Sequence, residues 1–192
     1  RSTPKPLSAA SDVYKRQVAA HLCDLKTGEV LASAGVMNPQ IRYGEDLMSR
    51  VSYVMMHPEG AELLTLAIRE AINGLLVELS EQASGDINDI LEIALVANPI
   101  MHHILLGINP VNLGTAPFAL TTSDPIDTRA IEVGLIAHPE ARLYCLPCIA
   151  GHVGADAAGV ILAEAPHRGE GMTLVVDCLL YTSPSPRDVE EA

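Results

Sequence analysis

Aromatic residues are nearly missing from this chain of 192 residues: it has no tryptophan, one phenylalanine (Phe118) and five tyrosines. Any core must therefore be aliphatic, and a hydrophobic content of 48% is enough to build one. Positive charge is also scarce, with 12 Lys and Arg against 24 Asp and Glu and a net charge of −12. That balance excludes nucleic acid as a partner, because phosphate backbones require a basic surface. The four cysteines, Cys23, Cys145, Cys148 and Cys178, are too few and too scattered for a disulfide framework, which implies a reducing, cytoplasmic setting. The first residues lack the apolar stretch of a signal peptide. No Asp, Glu, Lys or Arg occurs from Ile93 to Ser123, yet Asn98-Pro99, His102-His103 and Asn109-Pro110 interrupt the run. A membrane span needs about 20 mostly apolar residues, so this run reads as a buried strand, a buried helix and a loop, with no membrane partner.

The ends differ from the middle. Residues 1–17 carry two prolines, three serines and a net charge of +3, whereas 18–177 carry seven basic and twenty acidic residues. Residues 178–192 contain a Ser-Pro repeat. Neither end shows a strand or helix period, so both read as disordered tails. Between them, "VAAHLCDL" (18–25), "KTGE" and "VLASAGVMN" (30–38) predict a hairpin. Leu47, Val51, Val54 and Met55 fall on one helical face, and Pro58 restarts a helix whose stripe is Leu64, Ile68, Ile72, Leu75 and Leu79. "ILEIALVAN" (90–98) predicts a buried strand and Pro99 opens a short helix. "RAIEVGL" (129–135) and "ARLYCLPCI" (141–149) are strand candidates, "GADAAGVILAEA" (154–165) a helix and "MTLVVD" (172–177) a last strand. Helices alternating with strands after a hairpin point to an α/β fold with a mixed sheet.

Several residues suit chemistry. Asn98 ends a buried strand where ligands of open α/β sheets bind, or is a simple turn residue. Gly154 and Asp156 lie in "GHVGADAAG" (151–159) at a helix start, where glycine lets a phosphate approach and a carboxylate can hold a metal or water. Asp156 also suits plain stabilisation of the helix N-terminus. Asp177 at a strand tip can position Mg²⁺ for phosphoryl transfer, although no glycine-threonine turn follows it. Cys145 and Cys148 form C-x-x-C, a redox or metal signature or two ordinary core residues. His102 and His103, adjacent on a helix, point about 100° apart and cannot chelate one metal, so one is expected inside and the other towards solvent. No metal site is assigned.

"NPQIRYGEDLMSRV" (38–51), "ANPIMHHILLGINPVNLGTAPF" (97–118) and "CIAGHVGADAAGVILA" (148–163), in that order, resemble the reductive activators of corrinoid proteins. That family belongs to the acetate and sugar kinase, Hsp70 and actin superfamily of ATPases. The resemblance implies a fragment of a mixed-sheet, RNase H-like (actin-like ATPase) fold, incomplete because the strand before Val18 is not recognisable. It implies a non-native tail at 1–17, the middle part of a first subdomain at 18–138, the start of the C-terminal ATPase region at 139–177, and a second non-native tail at 178–192. "SAASDVYKRQ" and "CLLYTSPSPRD" resemble translated sequencing-adapter sequence, as found in fragments assembled from environmental DNA.

By the same resemblance the parent protein uses ATP and Mg to drive an electron onto the cob(II)alamin of a corrinoid methyl-transfer protein. The electron comes from a [2Fe-2S] domain that this chain lacks. Asp177 and Asp156 would be catalytic, Gly154 and Asn98 would border the nucleotide, and the fragment alone would be inactive and hold no cofactor. The alternatives are an activator of the same superfamily for another partner (a dehydratase activator or a hydantoinase-like ATPase) and a non-enzymatic redox or metal module built on Cys145 and Cys148.

Overall fold

The structure, a computed structural model, describes residues 7–13, 16–165 and 168. Among these residues six strands form one mixed sheet: β1 (Leu7–Val13), β2 (Gln17–Asp24), β3 (Val30–Met37), β4 (Ile90–Ala97), β5 (Ile126–Arg129) and β6 (Arg142–Cys145). Their spatial order is β3-β2-β1-β4-β6-β5. β1 runs antiparallel to β2 and parallel to β4, β4 is parallel to β6, and β5 closes the far edge antiparallel to β6.

β1 corrects the expectation that no strand precedes Val18. It lies in the middle of the sheet, paired from Leu7↔Asp24 to Val13↔Val18 on one side and from Leu7↔Ile90 to Val13↔Ala97 on the other. Ladder bonds are made by backbone N–H and C=O groups. A strand flanked on both sides can therefore consist of small residues such as Ser8, Ala9, Ala10 and Ser11, which carry little hydrophobic pattern.

The β2–β3 hairpin forms where its turn residues predict. Asp24 Oδ1 accepts from the N–H groups of Lys26 and Thr27, and Gly28 adopts the left-handed conformation (φ +74°) that an L side chain resists. Along β2, Val18, Ala20 and Leu22 are buried in alternation, so one face of the sheet meets the core.

Among the described residues four helices form where helices were expected. α1 (Leu47–Met56) is opened by a capping box between Asp46 and Ser49. On α1 Val51 and Val54 are buried, but Met55, expected on the same face, is 60% exposed while Arg50 is buried in its stead. α2 (Gly60–Gln82) buries the stripe of Leu64, Ile68, Ile72, Leu75 and Leu79 and packs on β2, β3 and α3. It starts two residues after Pro58, with Glu59 as a cap that makes no side-chain bond. α3 (Pro99–Leu106) begins with Pro at its first turn and ends on left-handed Gly107. α4 is Ala155–Glu164.

The strand expected over 129–135 is displaced. β5 ends at Arg129, and Ala130–Val133 form a 3-10 turn closed by Gly134 at φ +72°. The ion pair of Arg129 with Glu132, three residues apart, suits a turn and not a strand.

The chain divides into two compact units, Arg1–Gly159, which holds the sheet and α1–α3, and Val160–Ala192. "MTLVVD", Asp177 and the tail at 178–192 lie outside the described residues. No helix among the described residues is long and apolar enough to cross a membrane.

Candidate functional site at the carboxyl ends of the parallel strands

β1, β4 and β6 run in one direction, so their carboxyl ends share one edge of the sheet: Val13 lies opposite Ala97 and Leu95 opposite Cys145. Ligands of open α/β sheets bind outside that edge. Asn98 leaves β4 there, buried to 6% exposure, and its Oδ1 accepts from the Met101 N–H at 3.0 Å. It caps α3 and fixes the angle at which that helix leaves the sheet.

The structure brings Gly154 and Asp156 to Asn98. A Cβ on Gly154 would lie 2.7 Å from Asn98 Cα, from Pro99 Cδ and from Asp156 Oδ1. The close approach that this glycine permits is thus to the strand–helix junction itself. Asp156, half-buried in the first turn of α4, accepts from the Ala157 N–H at 2.8 Å. Just before it, Ala150 and Val153 close a tight turn. Gly151 in that turn packs against the Phe118 carbonyl, leaving no space for a side chain, and the rings of Phe118 and His152 lie 4.5 Å apart. The turn at 151–154 is therefore gripped by both ends of 97–118, at Asn98-Pro99 and at Phe118.

The first motif joins the same assembly through residues that pattern alone did not single out. Arg50 is fully buried, donating from Nε to the Gly44 carbonyl (3.0 Å) and from a terminal nitrogen to Gln40 Oε1 (3.2 Å) and Met101 Sδ (3.1 Å). Burial lowers its pKa to about 10, against the pull of Asp46, so it stays charged at neutral pH. Gln40 in turn donates to the Leu64 carbonyl at 2.8 Å. A Cβ on Gly114 would meet Val51 Cγ1 at 2.5 Å. A basic residue amid an apolar helical face was the available signal for Arg50.

Both histidines of α3 are buried, which corrects the expectation that one meets solvent. They do diverge, with ring centroids 5.7 Å apart. Pro99 to Leu105 are all buried, however, so every direction around this helix leads into protein. His103 Nε2 accepts from the Thr121 N–H at 3.1 Å, tying α3 to the loop after Phe118. Neither ring nitrogen of His102 has a hydrogen-bond partner. Burial, with the neighbouring His103, lowers the pKa of His102 to about 4, and burial also lowers that of His103. Both rings are neutral at pH 7.

The cysteine pair is chemically quiet. Cys145 and Cys148 are buried free thiols. Burial first, then Cys148, raises the Cys145 pKa to about 12; burial and then the Asp156 charge raise that of Cys148, against a hydrogen bond from the Ala155 backbone. A thiol held protonated is a poor nucleophile and a poor metal ligand. Among the described residues no three His, Cys, Asp or Glu side chains converge as a metal site.

The strand order, with an antiparallel hairpin beside a parallel β1–β4 pair, defines a mixed-sheet α/β protein of the RNase H-like, actin-like class. The model of a family described as the RACo middle region matches residues 7–169. The "Corrinoid activation enzyme RamQ" of Eubacterium limosum is 31% identical over 174 residues, which cover 90% of this chain and 29% of that protein. A solved "Reductive activator for corrinoid,iron-sulfur protein" superposes with a TM-score of 0.86 at 28% identity, covering 91% of this chain and 28% of its own. The chain belongs to the RACo middle region family. It spans under a third of the length of these relatives.

Proposed function

We propose that this chain is the middle region of an ATP-dependent reductive activator that readies a corrinoid methyl-transfer protein by returning its cob(II)alamin to the reduced state. The observation that carries the proposal is the convergence of three separate motifs, 38–51, 97–118 and 148–163, at the carboxyl ends of the parallel strands, through Arg50–Met101, Gly154–Asn98 and Gly151–Phe118. The similarity to two proteins named as corrinoid activators supports the choice of partner. The quiet thiols count against the alternative of a redox or metal module on Cys145 and Cys148.

Asn98, Gly154 and Asp156 do not by themselves form a phosphate cradle. Asn98 Oδ1 is engaged by the cap, the space beside Gly154 is filled, and Asp156 carries the same charge sign as phosphate. Asp156 suits a Mg²⁺-bound water better than phosphate itself. Positioning by opposed backbone N–H groups is most of phosphoryl-transfer catalysis. In an activator, ATP with Mg would supply the free energy and a [2Fe-2S] cluster the electron. The role proposed for this region is to hold the strand ends and α3 in register, so that closure around the nucleotide reaches the corrinoid partner.

The test replaces the corresponding region of the solved activator with residues 7–169 of this chain. The chimera is expected to restore ATP-dependent loss of the cob(II)alamin absorption band in a corrinoid protein. A folded chimera that leaves the band unchanged, or acts equally without ATP, would overturn the proposal.

A further inference from the structure

The loop from Thr115 to Pro125 is held to the rest of the protein by very little. Within it, the Phe118 N–H donates to the Thr115 carbonyl at 2.7 Å. Among the described residues its one hydrogen bond to another element runs from the Thr121 N–H to His103 Nε2 of α3, at 3.1 Å. Leu120 adds apolar packing against the core. Phe118, left-handed at φ +56°, sets its carbonyl against Gly151 and its ring against His152. A single hydrogen bond thus secures the loop that grips the 151–154 turn from one side.

The chemistry of that bond is one-sided. A backbone N–H can only donate, so Nε2 must present its lone pair, and the neutral ring must carry its proton on Nδ1. An imidazolium has a hydrogen on both nitrogens and no acceptor left. Two N–H groups would then point at each other across the contact. His103 is fully buried but Thr121 is exposed, so an outward step of the loop brings water to the charged ring.

We infer that His103 is a proton-controlled latch: the loop carrying Phe118 and Thr121 stays closed on the 151–154 turn while Nε2 is unprotonated, and is released when Nε2 takes a proton. Burial lowers the His103 pKa below its ordinary 6.5, against the pull of the Pro99 carbonyl, so the latch is closed at neutral pH and opens in acid. The other titratable groups about it are His102 on the same helix, His152 against the Phe118 ring and Asp124 three residues past Thr121. His102 titrates near 4 and has no hydrogen bond to break. Nothing in the latch depends on the proposed corrinoid role.

The test is amide exchange of the 192-residue chain by NMR from pH 7 to 5, with the imidazole nitrogens followed in the same samples. At neutral pH the His103 ring is expected to carry its proton on Nδ1. As pH falls below 6.5 the protection of the Thr121 amide is expected to drop, approaching about ten-fold per pH unit. The amides of Ile68 and Ile72 in α2 are expected to stay protected meanwhile, which marks a local opening and not unfolding. His103→Gln places an acceptor oxygen near the Nε2 position and does not titrate, so it is expected to keep Thr121 protected in acid. His103→Phe has no acceptor and is expected to leave Thr121 unprotected at every pH. A proton on Nε2 at neutral pH, a Thr121 amide that stays protected while the wild-type ring titrates, an acid transition that persists in His103→Gln, or a protected Thr121 in folded His103→Phe would each overturn the latch.

Discussion

Gly154 and Asn98 lie so close that a Cβ on the glycine would stand 2.7 Å from the asparagine Cα. A contact that short does not occur between real side chains and backbone, and the nearby atoms belong to a proline ring and a strand end. Gly154→Ala is therefore expected to cost about 1–3 kcal/mol by forcing the 150–154 turn away from α3. Urea unfolding of the variant measures it; a loss within error of zero would show that the turn is free to shift.

Arg50 predicts a larger effect. Arg50→Ala removes the donors to Gly44 and Gln40 and leaves buried acceptors behind, an expected loss of about 2–4 kcal/mol. Arg50→Met keeps much of the packing against Met101 and should lose less. Denaturation midpoints of the two variants rank them.

The α3 histidines make stability depend on pH. The folded His102 titrates near 4, below its ordinary 6.5, and His103 is lowered too. Between those values the unfolded chain takes up protons that the native protein refuses. For His102 the contribution is thus fully present above pH 6.5 and is lost as pH falls towards 4, at about 1 kcal/mol per pH unit, and the lowered His103 acts in the same direction. His102→Leu is expected to flatten the slope, because His102 has no hydrogen bond to lose. Melting temperatures from pH 7 to 4 provide the check.

The thiols of Cys145 and Cys148 should resist alkylation in the native protein and react once it is unfolded. Peptide mapping after iodoacetamide labelling distinguishes them from Cys23, which is partly exposed. Fast native labelling of Cys148 would revive a thiol chemistry for this edge of the sheet.

Deleting residues 1–13 is expected to unfold or aggregate the chain, since it opens β2 and β4 along their whole inner edges. Circular dichroism and light scattering of the truncated protein decide the point. A stable, monodisperse product would remove β1 from the sheet.

How much of this was legible beforehand depended on the kind of signal. The β2–β3 hairpin, the α2 stripe and the Asn98-Pro99 helix start were readable because periodicity, turn residues and proline act locally. β1 was not, because its place is set by the ladders on both sides and not by its own pattern. The turn at 130–133 replaced a predicted strand through Gly134, whose left-handed backbone outweighed Ile131 and Val133. Asn98, Gly154 and Asp156 were singled out separately, and their meeting depends on a tertiary contact between segments more than fifty residues apart. Asp177 lies outside the described residues. Arg50 left one signal, a basic residue amid an apolar helical face, but in one dimension such a residue also looks like one on the solvent side.

The bond from Arg50 to Met101 has a mechanical meaning. It spans from α1 to the first turn of α3, while Gly44 and Gln40 hold the same guanidinium from the segment before α1. One guanidinium therefore links α1, the segment before it and α3. The outer side of α1 carries Met48, Met55 and Met56, all exposed. Removing the Arg50 side chain would therefore uncouple the exposed methionines of α1 from the buried strand end.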